Sequence, residues 1–143
     1  MSDLTQLYQD IILGHNKRPK NYGPLDNYSG KAEKNNPLCG DEVTVFWTLQ
    51  DEHIAALQFT SQGCAISRAS ASIMTDLLKG KTPDQVKQLF EDFRSLLQSP
   101  EEDQAPASDL GELVALSGVR QYPSRIKCAL LAWEALLEKL DPA

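Results

Sequence analysis

The amino-acid sequence predicts an α+β fold, a small antiparallel β-sheet packed with several α-helices. Two observations predict it. Strand-like residues are confined to one stretch, where EVTVFWTL (42–49) and IAALQFTS (54–61) flank the turn Asp51-Glu52 as a hairpin. Helical periodicity occupies the chain on either side, so strands and helices are segregated rather than alternating. That order argues against a doubly wound nucleotide fold, and no glycine-rich phosphate loop is present.

The elements follow in order. Leu4, Leu7, Tyr8, Ile11 and Ile12 recur at helical spacing, which predicts an amphipathic helix over 3–15, capped by Ser2 or Asp3 and ending near Gly14. Residues 16–40 are rich in Asn, Lys, Gly and Pro and read as an extended loop with turns. Pro19, Pro24 and Pro37 exclude a long helix there. After the hairpin, Gly63 breaks the strand pattern. Helices are expected at 65–79, ending near Gly80, and at 83–97, started by Thr82 or Asp84. The stretch 99–108 (SPEEDQAPAS) reads as an acidic, proline-containing loop. Asp109 caps a short helix at 110–116, and a final helix rich in Ala and Leu, with Trp133, runs over 124–140 after the Tyr122-Pro123 break.

The 143 residues suit one domain, 1–143, with one hydrophobic core. A formal net charge of −6 argues against nucleic acid, because phosphate binding needs clustered Lys and Arg. No basic start followed by an apolar run suggests a signal peptide, and no apolar stretch approaches the roughly 18 residues that span a bilayer. The expected location is the cytoplasm, away from membranes.

Three cysteines, at 39, 64 and 128, argue against a disulfide framework in a reducing compartment. Three options remain: buried apolar thiols, metal ligands, or a reactive site. Free cysteine is often simply buried, and no CxxC pair is present. The settings are nonetheless suggestive. In Cys39-Gly40-Asp41 an extended backbone points residues i and i+2 the same way, and a thiolate and a carboxylate both suit zinc. Cys64 follows Gly63 at a strand-to-helix junction, where the helix N-terminus favours a thiolate over a thiol of ordinary pKa about 8.5. Cys128 lies early in the last helix, three residues after Arg125 and so on nearly the same face. Three thiolates, one carboxylate and Zn²⁺ sum to −2, which a partly buried site tolerates only beside cations. Arg125 and Arg68, four residues after Cys64, are placed to supply them. Of the two histidines, His15 reads as a surface residue capping a helix C-terminus, and His53 as an exposed hairpin residue.

The segments PLCGDEV (37–43), TSQGCAISRASASIM (60–74) and YPSRIKCALLAW (122–133), with LYQDIILGHNKRPKNYG (7–23), resemble the NifU/IscU-type family of iron–sulfur cluster assembly proteins. The resemblance runs from about Leu4 to Leu137. It implies an IscU/SufU-like fold in which Cys39, Asp41, Cys64 and Cys128 converge on one metal. It also implies a cysteine desulfurase, a PLP enzyme, as sulfur donor, with His15 and Arg18 at its docking surface. IscU-type scaffolds carry a histidine just before the third cysteine, where this chain has Lys127. The stretch between Cys64 and Cys128 is longer, and Tyr122–Lys127 replaces an LPPVK-type chaperone-recognition segment. These features resemble the SufU branch, whose members bind zinc and accept sulfur from a SufS-type desulfurase. The resemblance therefore implies a zinc-dependent, sulfurtransferase-like acceptor serving downstream iron–sulfur assembly proteins, and Cys39 is the expected accepting thiol because a loop-borne cysteine is the easiest ligand to detach. The alternative it allows is a scaffold holding a transient [2Fe–2S] cluster on the same residues.

Overall fold

The structure is a computed structural model and describes residues 2–37, 40–98 and 108–140. Its elements are α1 (Ser2–Lys17), β1 (Gly30–Asn36), β2 (Asp41–Gln50), β3 (His53–Gln62), α2 (Ala65–Leu78), α3 (Pro83–Gln98), a 3-10 segment (Ser108–Gln121) and α4 (Pro123–Lys139). The three strands form one antiparallel sheet in the order β1-β2-β3. The predicted α+β class is therefore the observed one.

The hairpin forms where the β-branched and aromatic residues lie. Asp51 and Glu52 both take positive φ (53° and 66°), which matches the twist of the flanking strands. One face of the hairpin enters the core through Val45, Leu57 and Phe59, none of which is exposed. Helix α2 packs on β3, and α4 packs on β1 and β2. Trp133 of α4, fully buried, meets Phe90 and Phe93 of α3 at ring separations of 6.3 and 5.5 Å. Thr82 starts α3 through a reciprocal cap: its hydroxyl accepts the Gln85 N–H, and its own N–H donates to the Gln85 side chain.

The structure corrects three readings. Residues 16–40 are not all loop, because Gly30–Asn36 forms β1, in register from Gly30 opposite Trp47 to Asn36 opposite Asp41. The helix predicted at 110–116 is a longer 3-10 segment, broken at Gly111 where φ is 54° and ψ −130°. Helix α1 runs past Gly14 to Lys17, and Leu7, placed on its apolar stripe, is 53% exposed while Ile11 and Ile12 pack on the core. The acidic stretch 99–107 lies outside the described residues. Among those described, no helix is long and apolar enough to cross a membrane.

Candidate metal centre

The site lies where the β1–β2 turn, the end of β3 and the start of α4 meet. Asn36 and Asp41 face each other across the turn, and the Gly40 N–H closes it on the Asn36 carbonyl at 2.8 Å. Gly40 takes φ 72°, a left-handed backbone that favours glycine. Leu38 and Cys39, which the turn carries, lie outside the described residues.

Asp41 opens β2 with its side chain fully buried. Its Oδ1 accepts the backbone N–H of Cys64 at 2.7 Å, and its Oδ2 accepts the Cys64 thiol at 3.5 Å. One carboxylate oxygen is thus committed to the backbone, and the other faces sulfur. Gly63 makes the approach possible. It has φ 137°, and a Cβ there would lie 2.1 Å from Asp41 Oδ1 and 2.8 Å from Asp41 Cα.

Cys64 is the N-cap of α2 but makes no side-chain cap, so its sulfur stays directed at Asp41 rather than at the helix. Cys128, 1% exposed, comes from the second turn of α4. Two helices therefore bring thiols to a carboxylate held by the sheet. Ser70 fixes their relative position, its hydroxyl donating to the Ala129 carbonyl at 2.5 Å, one residue from Cys128.

The donor atoms of Asp41, Cys64 and Cys128 all lie within 4.8 Å of one another. Around tetrahedral zinc, with bonds of about 2.3 Å to sulfur and about 2.1 Å to oxygen, neighbouring donors stand roughly 3.6 Å apart. Separations of up to 4.8 Å are wider than that, so a bound zinc ion would draw the three donors closer together. Two thiols and one carboxylate, mostly shielded from water, are a donor set that fits zinc and equally fits iron–sulfur chemistry.

The predicted cations fall in different places. Arg68 is half-buried on α2, with its guanidinium over the Tyr22 ring at 4.7 Å from the centroid. Arg125 is exposed on the first turn of α4, and none of the ion pairs among the described residues includes it.

His15 departs most from the sequence reading. It is 6% exposed, not a surface cap. Its Nδ1 lies 2.6 Å from Ser72 Oγ, and its Nε2 lies 2.7 Å from Glu112 Oε1. The Lys20 N–H also donates to Ser72 Oγ, at 2.7 Å. With the proton on Nε2 every group is satisfied: Lys20 to Ser72, Ser72 to His15, His15 to Glu112. The chain of bonds ties α1 to α2 and to the 3-10 segment. His15 is buried and Arg18 is exposed beside it, and both line a depression of about 210 Å³ with Asp10, Lys20 and Glu112. His53 is exposed as expected, its Nδ1 2.7 Å from the Asp51 carbonyl.

Comparison with known proteins identifies the family. Residues 7–129 match the family described as the NifU-like N terminal domain. The zinc-dependent sulfurtransferase SufU of Bacillus subtilis is 40% identical over 135 residues, covering 94% of this chain and 90% of that protein. The iron–sulfur cluster assembly scaffold protein IscU of Streptococcus pyogenes is 38% identical over 141 residues, covering 98% and 86%. A crystal structure from Fervidobacterium islandicum, described as an iron–sulfur cluster assembly scaffold protein for the SUF system, superposes with a TM-score of 0.84 at 30% identity, covering 92% of this chain and 95% of the other. The chain thus belongs to the NifU/IscU-type family, whose N-terminal domain fold it adopts over nearly its whole length.

Proposed function

We propose that this protein accepts persulfide sulfur from a cysteine desulfurase of the SufS type, for iron–sulfur cluster assembly, at a zinc centre formed by Cys39, Asp41, Cys64 and Cys128. The observation that carries the reading is the convergence of Asp41, Cys64 and Cys128 from three separate elements. The relative named a zinc-dependent sulfurtransferase supports the choice of metal and chemistry. Bound zinc would keep the thiols ionised and ordered, since thiolate rather than thiol is both ligand and nucleophile.

The chain's own residues carry the rest. Asp41, anchored through Oδ1 on the Cys64 N–H, holds Oδ2 beside sulfur. Gly63 lets the two segments approach. Cys39 is the accepting thiol in this reading, because a loop-borne ligand detaches more readily than one on a helix. Its thiolate attacks the outer sulfur of the donor's persulfide, and the donor cysteine leaves as thiolate. Arg125, at the mouth of α4, offsets the negative charge of the ligand set.

A second reading has its own support: several relatives are named IscU scaffolds, including one 38% identical. In that reading the same residues assemble a [2Fe–2S] cluster for transfer to apo-proteins. Lys127, at the position where scaffolds of that type carry histidine, favours the first.

Alanine formation by a partner desulfurase, with the chain titrated in metal-free and zinc-loaded forms, separates the two. Saturable stimulation by the zinc form alone supports the acceptor. No stimulation by either form, with an active desulfurase, contradicts it.

A further inference from the structure

The sulfur-acceptor reading contains an electrostatic difficulty. Transfer joins a protein thiolate to an ionised persulfide: one S–S bond breaks in the donor, one forms in the acceptor, and the donor cysteine departs with the electron pair. Total charge is conserved, but two anions must meet at a ligand set that is already negative. A cation held in place at that point eases the encounter.

Arg68 is the candidate for that cation. Its backbone N–H donates to the Cys64 carbonyl at 3.2 Å, so the two residues stand one helical turn apart on the same face of α2. Its guanidinium rests on the Tyr22 ring. That ring is itself fixed: the Tyr22 hydroxyl donates to the Ser61 carbonyl and accepts the Ser61 N–H, and the ring meets Phe59 edge-on at 5.1 Å. Ser61 lies three residues before Cys64, so the platform flanks the segment that delivers the thiol. No ion pair among the described residues includes Arg68. Its Nε is covered by protein yet has no acceptor among the described residues. The head group is thus oriented by an aromatic face, and none of the side-chain hydrogen bonds among the described residues engages it. An arginine that served only to stabilise the fold would spend its donors on a carboxylate or a carbonyl.

We infer that Arg68, mounted on Tyr22, is a positioning residue that receives the anionic persulfide of the donor beside Cys64; the inference rests on the sulfur-acceptor reading. Tyr22 is 41% exposed, so a partner's loop has access to the pair.

The test uses charge selectivity. The zinc-loaded full chain is reacted at low salt with a dianionic disulfide, 5,5′-dithiobis(2-nitrobenzoate), and with a neutral one, 2,2′-dithiodipyridine. Arg68→Met should slow the anionic reagent about fivefold, the upper range for one exposed charge pair, and leave the neutral one unchanged. Arg68→Lys should recover part of the rate, and Tyr22→Leu should lose it as Arg68→Met does. Equal slowing of both reagents, or of neither, overturns the inference, since a merely structural role would not distinguish charge. Sulfur uptake from a desulfurase at limiting donor provides the second readout, by mass of the intact chain. Uptake by the wild type that Arg68→Met does not reduce overturns the Arg68 assignment alone. No uptake by the wild type overturns the acceptor reading, and the persulfide as Arg68's ligand with it.

Discussion

Asp41 Oδ1 accepts the Cys64 backbone N–H at 2.7 Å, joining the first residue of β2 to the residue that caps α2. One carboxylate therefore has two tasks, holding a half-buried backbone donor and presenting its other oxygen to sulfur. The tasks separate by substitution. Asp41→Asn keeps an oxygen for the N–H but loses the charge; Asp41→Ala loses both and leaves the Cys64 N–H without its acceptor. Chemical denaturation should show Ala less stable than Asn by about 1–3 kcal/mol, the cost of an unmet donor. Zinc competition with a chelator should show both weaker than wild type by at least about tenfold.

Two glycines should respond in opposite ways to alanine. A Cβ at Gly63 meets Asp41 at 2.1 Å, on a backbone at φ 137°, so Gly63→Ala should destabilise by more than about 2 kcal/mol and weaken metal binding. Gly14 lies inside α1 with nothing within 4 Å of the added carbon. Gly14→Ala should stabilise by about 0.5–1 kcal/mol through helix propensity, without touching the metal. Urea midpoints of the two variants check the pair.

His15 and Glu112 should be energetically coupled. A double-mutant cycle with His15→Ala and Glu112→Ala should give about 1 kcal/mol of interaction, and His15→Ala alone should cost more because Ser72 also loses its partner. A coupling near zero would show the contact to be incidental.

Glu134 gives a pH dependence. Burial on α4 raises its pKa above the ordinary value of 4.5, against the pull of Lys34, Arg94 and Lys127. The folded state therefore binds this proton more tightly than the unfolded chain. Stability from this group is greatest in acid and falls as pH rises from about 4.5 through the raised value. Glu134→Gln should match wild type in acid and exceed it at neutrality, read from denaturation midpoints across that range. The opposite trend would mean that the three cations outweigh burial.

Much of this was legible in the sequence. EVTVFWTL and IAALQFTS declared the hairpin, and Gly63 marked its end; the periodicity of 65–79, 83–97 and 124–140 declared the helices. The three cysteine contexts pointed to one centre only through family resemblance, because spacings of 25 and 64 residues contain no geometric information. Strand β1 was hidden because GKAEKNN is polar throughout. Only Ala32 and Asn36 are buried in it, and charged residues suit an exposed sheet edge. His15 was misread because its partners lie 57 and 97 residues away. The small-residue run SRASAS in α2 was the available hint, since its serines face neighbouring elements and carry hydroxyls inward. Ser70 reaches Ala129, and Ser72 reaches His15.

The central claim is that three cysteines and Asp41 hold one zinc ion, and X-ray absorption at the zinc edge of the loaded chain tests it most directly. The account predicts three sulfurs at about 2.3 Å and one oxygen at about 2.0–2.2 Å, with no imidazole scattering. A shell with fewer than three sulfurs, or one containing imidazole, would contradict it.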